Sequence, residues 1–193
     1  MYMDLCLCPL TPRLDLSTKI VIFMQQSEYS QITNTGVLAH RILKNSQIVF
    51  RGHQSKNVVK REDFLADRNV ENTFVLYPSG NAGELNDQFL KKCTGAMTLI
   101  CPDGHWGQAK KIVRHEPSLN NLPCLKLPEG AISNYRLRRN QQENNVCTIE
   151  AIICALGLLE GLQVREAMEI IFNKMVTRLL WARGKIPLDQ IVW

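Results

Sequence analysis

The sequence has no long hydrophobic run and no pattern of paired cysteines. No uncharged apolar stretch reaches the roughly 18 residues that a membrane span needs, and the first residues, MYMDLCLCPLTPRLDLSTK, lack the basic and apolar regions of a secretory signal. The seven cysteines are odd in number and scattered along the chain. We therefore expect a cytoplasmic protein with free thiols and no membrane contact.

Common catalytic and metal-binding motifs are also missing. The sequence contains neither a Gly-x-Ser-x-Gly motif nor a Walker lysine, and its four histidines show no metal-ligand spacing. Cys6-Leu7-Cys8 is only half of a zinc pattern, so no metal is expected. The net charge of +5 and the isoelectric point near 8.9 permit contact with nucleic acid without requiring it.

Strand-like and helix-like segments alternate along the chain. Runs rich in β-branched residues at 18–24, 46–52, 72–78, 96–102 and 122–128 predict strands, and three of them are apolar on both faces. Helical patterns lie between them at 35–45, 83–93 and 107–115. This alternation predicts an α/β fold with a largely parallel sheet and helices on both faces. No linker marks a boundary, so residues 1–193 form one predicted domain.

The C-terminal third is predicted to be helical. A helix over 148–162 begins at Thr148 as its cap, with Glu150 in the first turn. A second helix over 163–184 carries an apolar stripe at helical spacing, which indicates core packing. The stripe consists of Val164, Met168, Ile171, Met175 and Leu179.

Unusual residues follow the predicted strands, where an open parallel sheet forms its ligand crevice. Asn34, Thr35 and Gly36 follow the first strand, and Tyr77 and Pro78 follow the third. Each group also fits an ordinary turn or helix cap. After the fourth strand come Asp103, Gly104, His105 and Trp106, where the simplest interpretation is that Asp103 caps the next helix and Trp106 packs it onto the sheet.

A polar connection over 129–147 carries Tyr135 beside Arg136, Arg138 and Arg139. Alternating cations are typical of a solvated strand face. A tyrosine among arginines also suits contact with phosphates and bases.

Five segments together, TNTG, LYP, DGHWGQAKK, SNYRLRR and TIEAIICAL, resemble the DTW-domain family in their order and spacing, from about Leu7 to about Glu160. The family's Asp-x-Thr-Trp motif reads Asp103-Gly104-His105-Trp106 here. The resemblance implies a relative of the SPOUT methyltransferases with a C-terminal trefoil knot. It also implies a tRNA-uridine aminocarboxypropyltransferase that uses S-adenosylmethionine. Methyl transfer to RNA and non-catalytic RNA binding remain the alternatives.

The resemblance also implies roles for individual residues. Asp103 would be the general base and Trp106 would stack in the site. Residues expected to contact S-adenosylmethionine are Asn34, Thr35, Gly36, Tyr77, Pro78, Leu127, Ser133, Tyr135 and Thr148. Residues expected to neutralise tRNA phosphates are Arg136, Arg138, Arg139, Lys110, Lys111 and Arg114. Two features depart from the family: His105 replaces threonine, and only Cys6 and Cys8 remain of its N-terminal cysteines.

Overall fold

Six strands form one sheet in the computed structural model, which describes residues 5–51, 62–65, 70–130, 133–137 and 146–192. The strands are β1 (Lys19–Gln25), β2 (Ser46–Arg51), β3 (Thr73–Leu76), β4 (Gly83–Glu84), β5 (Thr98–Pro102) and β6 (Cys124–Lys126). Their order is β2-β1-β5-β3-β6-β4, and every pairing is parallel. The five predicted strands and the parallel sheet are confirmed. All carboxyl ends therefore meet at one edge of the sheet.

Seven α-helices accompany these strands in the described ranges. They are α1 (Gln26–Tyr29), α2 (Thr35–Ile42), α3 (Glu62–Leu65), α4 (Asp87–Leu90), α5 (Trp106–His115), α6 (Thr148–Leu159) and α7 (Leu162–Ala182). The predicted helices at 35–45 and 107–115 and the two C-terminal helices are confirmed. None of the helices is both long enough and apolar enough to cross a membrane, as far as the described residues go.

The predicted helix over 83–93 is too long, because only Asp87–Leu90 is helical, as α4. Gly83 and Glu84 instead extend the sheet as β4, and the backbone N–H of Leu85 donates to the carbonyl of Lys126. Asn86 then caps the short helix α4 by accepting from the N–H of Phe89. By pairing with β6, the residues of β4 form the backbone hydrogen bonds that they would otherwise form within a longer helix.

Helices cover both faces of the sheet, as predicted. Ile20 and Ile22 of β1 belong to the core cluster formed with α2, α6 and α7. Val21 and Phe23, which point to the opposite face, belong to the cluster formed with α3 and α5. All four side chains are fully buried, which explains why this strand is apolar on both faces.

The C-terminal helices agree with the prediction except at one cap. In the apolar stripe of α7, Met168, Ile171 and Met175 are buried, and its remaining residues pack against the same core. Helix α6 is capped by Cys147 rather than Thr148, because Glu150 reaches back to accept from the N–H of Cys147 at 2.7 Å. Thr148 is therefore the first helical residue, and its hydroxyl can bond elsewhere.

Candidate active site

A cavity of about 570 Å³ lies beyond the carboxyl ends of β3, β5 and β6. Its size is within the range of small-molecule sites. The cavity brings together five of the predicted site residues: Tyr77, Pro78, Trp106, Leu127 and Thr148. Further walls come from Pro102 and Gly104, from Leu125 to Gly130, and from Val146, Cys147 and Ala151. The crevice expected beyond the strand ends is therefore present.

Two aromatic side chains stand at this cavity. Trp106 is the first residue of α5 and keeps 38% of its surface exposed, although the sequence also allowed it to be a buried packing residue. Its ring centroid lies 6.1 Å from that of Tyr77, and the two planes are tilted by 52°. An exposed indole beside a phenol offers a surface on which a planar group or a cation can rest.

Helix α5 is capped by His105, so the interpretation of Asp103 as its cap is wrong. The Nδ1 atom of His105 accepts from the N–H of Gln108 at 3.3 Å, and the Gln108 side chain accepts from the N–H of His105 at 2.7 Å. Gly104, with a φ of 131°, turns the chain between Asp103 and the helix. Threonine is also a good N-cap, so the family's threonine and this histidine can perform the same structural task.

Asp103 is instead a buried carboxylate, with only 2% of its surface exposed. Its Oδ2 accepts from the side-chain amide of Asn34 at 2.7 Å, and its Oδ1 accepts from the hydroxyl of Thr148. We call these three residues the Asn34–Asp103–Thr148 bridge. The bridge connects the loop after β1 to the loop after β5 and to the start of α6. Of its members, only Thr148 lines the 570 Å³ cavity.

The start of α2 is built closely around this carboxylate. Asn34 caps α2 by accepting from the N–H of Val37 at 2.7 Å, which confirms a cap at this position. A Cβ at Gly36 would lie 3.0 Å from both Cγ and Oδ1 of Asp103, so any larger residue there would crowd the carboxylate. The helix N-terminus also favours a nearby negative charge. Asn34 itself lines a separate cavity of about 330 Å³, and neither Thr35 nor Gly36 lines the larger one.

A second buried carboxylate, Glu150, holds the loop that leads to α6. It accepts hydrogen bonds from the Ser133 hydroxyl at 2.7 Å and from the N–H of Asn134 at 2.6 Å, in addition to the N–H of Cys147. In the sequence, Glu150 stands in the first turn of the helix, where it favours the helix dipole, and within the TIEAIICAL segment of the family resemblance. The capping-box position, three residues after the cap, could have indicated this wider role.

Ser133 and Tyr135 do not line the cavity. Ser133 is held by Glu150, while the Tyr135 hydroxyl donates to the carbonyl of Thr33 at 2.8 Å and its ring stacks on Phe172. Tyr135 is 6% exposed. These contacts tie residues 133–135 to the loop that precedes Asn34. Both residues therefore lie outside the cavity wall and hold neighbouring segments in place.

Two thiols near the bridge are poor nucleophiles. Burial, together with the charge of Asp103, raises the pKa of the Cys101 thiol well above its ordinary value. Burial and the charge of Glu150 likewise raise the pKa of Cys147, and a hydrogen bond with Thr35 offsets only part of this. Both thiols are therefore protonated at neutral pH. This argues against a covalent cysteine intermediate at this site.

Exposed cations lie along the helix that begins at the cavity. Lys110, Lys111 and Arg114 of α5 are exposed, and we call them the basic face of α5. None of the three forms a salt bridge with a residue that the structure describes. Arg136 is also exposed, whereas Arg138 and Arg139 lie outside the described residues.

Comparison with known proteins gives consistent matches. A family model described as DTW domain matches residues 1–180. The chain is similar to tRNA-uridine aminocarboxypropyltransferase 2 of Drosophila melanogaster, with 29% identity over 159 residues, which are 81% of this chain and 62% of that protein. The protein of the same name from Mus musculus is 30% identical over 166 residues, 80% of this chain and 53% of that protein. The chain thus spans between half and two thirds of these curated relatives, and no solved structure matches it.

Proposed function

Because the chain belongs to the DTW domain family, we propose that it transfers the 3-amino-3-carboxypropyl group of S-adenosylmethionine to a uridine in tRNA, releasing methylthioadenosine. The observation that carries this proposal is the similarity, over four fifths of the chain, to proteins named tRNA-uridine aminocarboxypropyltransferase 2. Such an enzyme would act in the cytoplasm.

The residues around the 570 Å³ cavity fit S-adenosylmethionine. Apolar walls from Leu125 and Leu127 suit a nucleoside, and the aromatic rings of Tyr77 and Trp106 suit a sulfonium cation. Lys126 and Glu129, also on the wall, match the carboxylate and the ammonium of the amino acid portion. When bound, the donor supplies an electrophilic carbon with a good leaving group.

The protein would then have two tasks: to orient the uridine and to remove its imide proton. Asp103 is the proposed final acceptor of that proton. Asn34, Thr35 and Gly36 would set the position of Asp103, and Ser133 and Tyr135 would fix the adjoining loop. Pro78 and Leu127 would border the donor. Trp106 would stack at the cavity mouth.

The basic face of α5 would bind tRNA phosphates, with help from Arg136, Arg138 and Arg139. Three exposed cations without a salt-bridge partner among the described residues are available for this contact. Their helix begins at Trp106, so a backbone bound along it would bring a nucleotide to the cavity.

We also propose a SPOUT-like arrangement with a C-terminal trefoil knot. Contacts that support it run from residues 133–150 back to the loops after β1 and β5, namely those of Tyr135 with Thr33 and of Thr148 with Asp103. A threaded C-terminal segment would make such contacts. An experimental structure that traces the whole segment 127–150 tests the knot, and an unthreaded path would rule it out.

Product analysis tests the activity. Unmodified tRNA, S-adenosylmethionine and the purified protein are incubated together, and the small-molecule products are separated by chromatography. Methylthioadenosine that forms only when tRNA is present would support aminocarboxypropyl transfer. S-adenosylhomocysteine would indicate methyl transfer instead. Failure to bind the donor, measured by calorimetry and by thermal stabilisation, would indicate a non-catalytic protein.

A further inference from the structure

We propose that Thr148 is a catalytic residue whose hydroxyl oxygen accepts the imide proton of the target uridine while its own proton passes to Asp103. This inference rests on the proposed function and specifies how the buried carboxylate reaches the substrate. It also names the group that would distinguish uridine from cytidine.

The first observation is the difference in exposure along the bridge. Asp103 is 2% exposed and is not part of the cavity wall, so we place it behind the residues that a substrate in the cavity would contact. Thr148 is half-buried and lines the cavity. A general base must lie within hydrogen-bond reach of the proton that it removes, directly or through one intermediate group. Among the members of the bridge, only Thr148 belongs to the cavity wall, so we assign this contact to its hydroxyl.

The second observation is the direction of the hydrogen bond. A hydroxyl group has one proton and two lone pairs, and the proton of Thr148 is donated to Oδ1 of Asp103. The hydroxyl can therefore offer only an acceptor to the cavity. The ring nitrogen of uridine at which transfer occurs carries a proton and can donate it. The corresponding nitrogen of cytidine carries no proton. Bound cytidine would therefore place its own acceptor against the acceptor oxygen of Thr148, with no proton between them.

The third observation is that both ends of the relay are fixed. Asn34 holds Oδ2 of Asp103, and Gly36 approaches the same carboxylate closely. Thr148 is the first residue of α6, directly after Cys147, whose N–H is held by Glu150. The hydroxyl and the carboxylate therefore stay aligned before the substrate arrives, which is the condition for efficient proton transfer.

The proposed step balances as follows. The imide nitrogen forms a bond to the donor's methylene carbon as the bond from that carbon to sulfur breaks, and the electron pair of the broken bond stays on sulfur. The imide proton moves to Oγ of Thr148 while the hydroxyl proton moves to Oδ1 of Asp103. A neutral aspartic acid remains, and it returns its proton to solvent after the products leave. A hydroxyl alone is a weak base, so the carboxylate behind it is required.

Two substitutions at Thr148 test this role. Thr148→Val keeps the shape of the side chain and removes the hydroxyl, whereas Thr148→Ser keeps the hydroxyl and serves as the matched control. Single-turnover transfer at saturating donor should fall roughly 10²–10⁴-fold in the valine variant, the range typical of general-base catalysis. The serine variant should retain transfer within about tenfold. The affinity for S-adenosylmethionine, measured by calorimetry, should change far less than the transfer rate in the valine variant, although Thr148 also lines the donor cavity.

The pH dependence separates a proton relay from a structural role. Wild-type transfer should depend only weakly on pH through the neutral range, because the carboxylate of Asp103 receives the proton through Thr148. In Thr148→Val and Asp103→Asn the uridine must first lose its proton to solvent, so the rate should rise about tenfold per pH unit through neutral pH.

Three results would overturn the relay. They are near-normal saturated transfer in Thr148→Val, a loss confined to donor affinity, or a pH profile with the wild-type shape in both variants. A wild-type protein that forms no methylthioadenosine would instead refute the proposed function.

Discussion

The substitution Gly36→Ala tests the bridge without changing any of its members. A helical Gly→Ala replacement ordinarily stabilises a protein by up to about 1 kcal/mol, because alanine has the higher helix propensity. Here the new Cβ would lie 3.0 Å from both Cγ and Oδ1 of Asp103 and 3.2 Å from Oδ2. The carboxylate would have to retreat by a few tenths of an ångström, although Asn34 and Thr148 hold it in place.

Crowding of this kind typically destabilises a packed core by about 1–3 kcal/mol. After the helix gain is subtracted, we expect Gly36→Ala to lower the free energy of unfolding by about 1–2 kcal/mol. For a chain of this length that corresponds to roughly 2–8 °C in melting temperature. Transfer activity should also fall, because any shift of the carboxylate disturbs its hydrogen bond with the Thr148 hydroxyl.

A double-mutant cycle isolates the cause. In an Asp103→Ala background the carboxylate is gone, so Gly36→Ala should now stabilise the protein by up to about 1 kcal/mol. The change in sign gives a coupling energy of about 2 kcal/mol, measurable by urea denaturation. Gly80→Ala is the control, because a Cβ there meets nothing within 4 Å. If Gly36→Ala changes the unfolding free energy equally in both backgrounds, crowding against Asp103 is not the cause of that change.

Three further predictions concern features outside the bridge. Replacing Lys110 and Lys111 by Gln should weaken tRNA binding and reduce the slope of log affinity against log salt concentration by about one to two, whereas Lys44→Gln, at the opposite edge of the sheet, should leave it unchanged. Burial raises the pKa of Glu160, but hydrogen bonds from the residues just before β1 outweigh this and lower it overall. Its stabilising effect should therefore be complete above the unfolded-state pKa of about 4.3 and lost as pH falls through the lower folded-state pKa. The difference in unfolding free energy between wild type and Glu160→Gln should shrink below that pH, and a pH-independent difference would contradict the assignment. His105→Thr should change the melting temperature and the transfer rate little, because either side chain caps α5; a large gain in transfer would show that the histidine weakens the site.

Local patterns in the sequence were sufficient to predict five of the six strands. β1 could be predicted because Ile20 to Met24 are apolar on both faces, which is typical of a strand covered on both sides. Helix α4 could not be predicted over its true length, because its start depends on the pairing of β4 with β6, which lie about 40 residues apart. Long-range pairing of this kind leaves no periodic signal in the segment itself.

The same distinction applies to the site. The turn residues near the strand ends could be identified, and Tyr77, Pro78 and Trp106 do line one cavity. The burial of Asp103 could not be predicted, because it results from contact between segments near residues 34, 103 and 148. Ser133 and Tyr135 were likewise expected at the donor, since nothing local indicates that Glu150 and Thr33 hold them.

The most direct test of the proposed function follows two labels in one donor. S-adenosylmethionine carrying one isotope in its methyl group and another in its methionyl chain is incubated with the protein and unmodified tRNA, and the tRNA is digested to nucleosides. We predict that the chain label alone appears on uridine, in an amount equal to the methylthioadenosine released. The methyl label on the tRNA, or no label on uridine from either position, would contradict aminocarboxypropyl transfer by this protein.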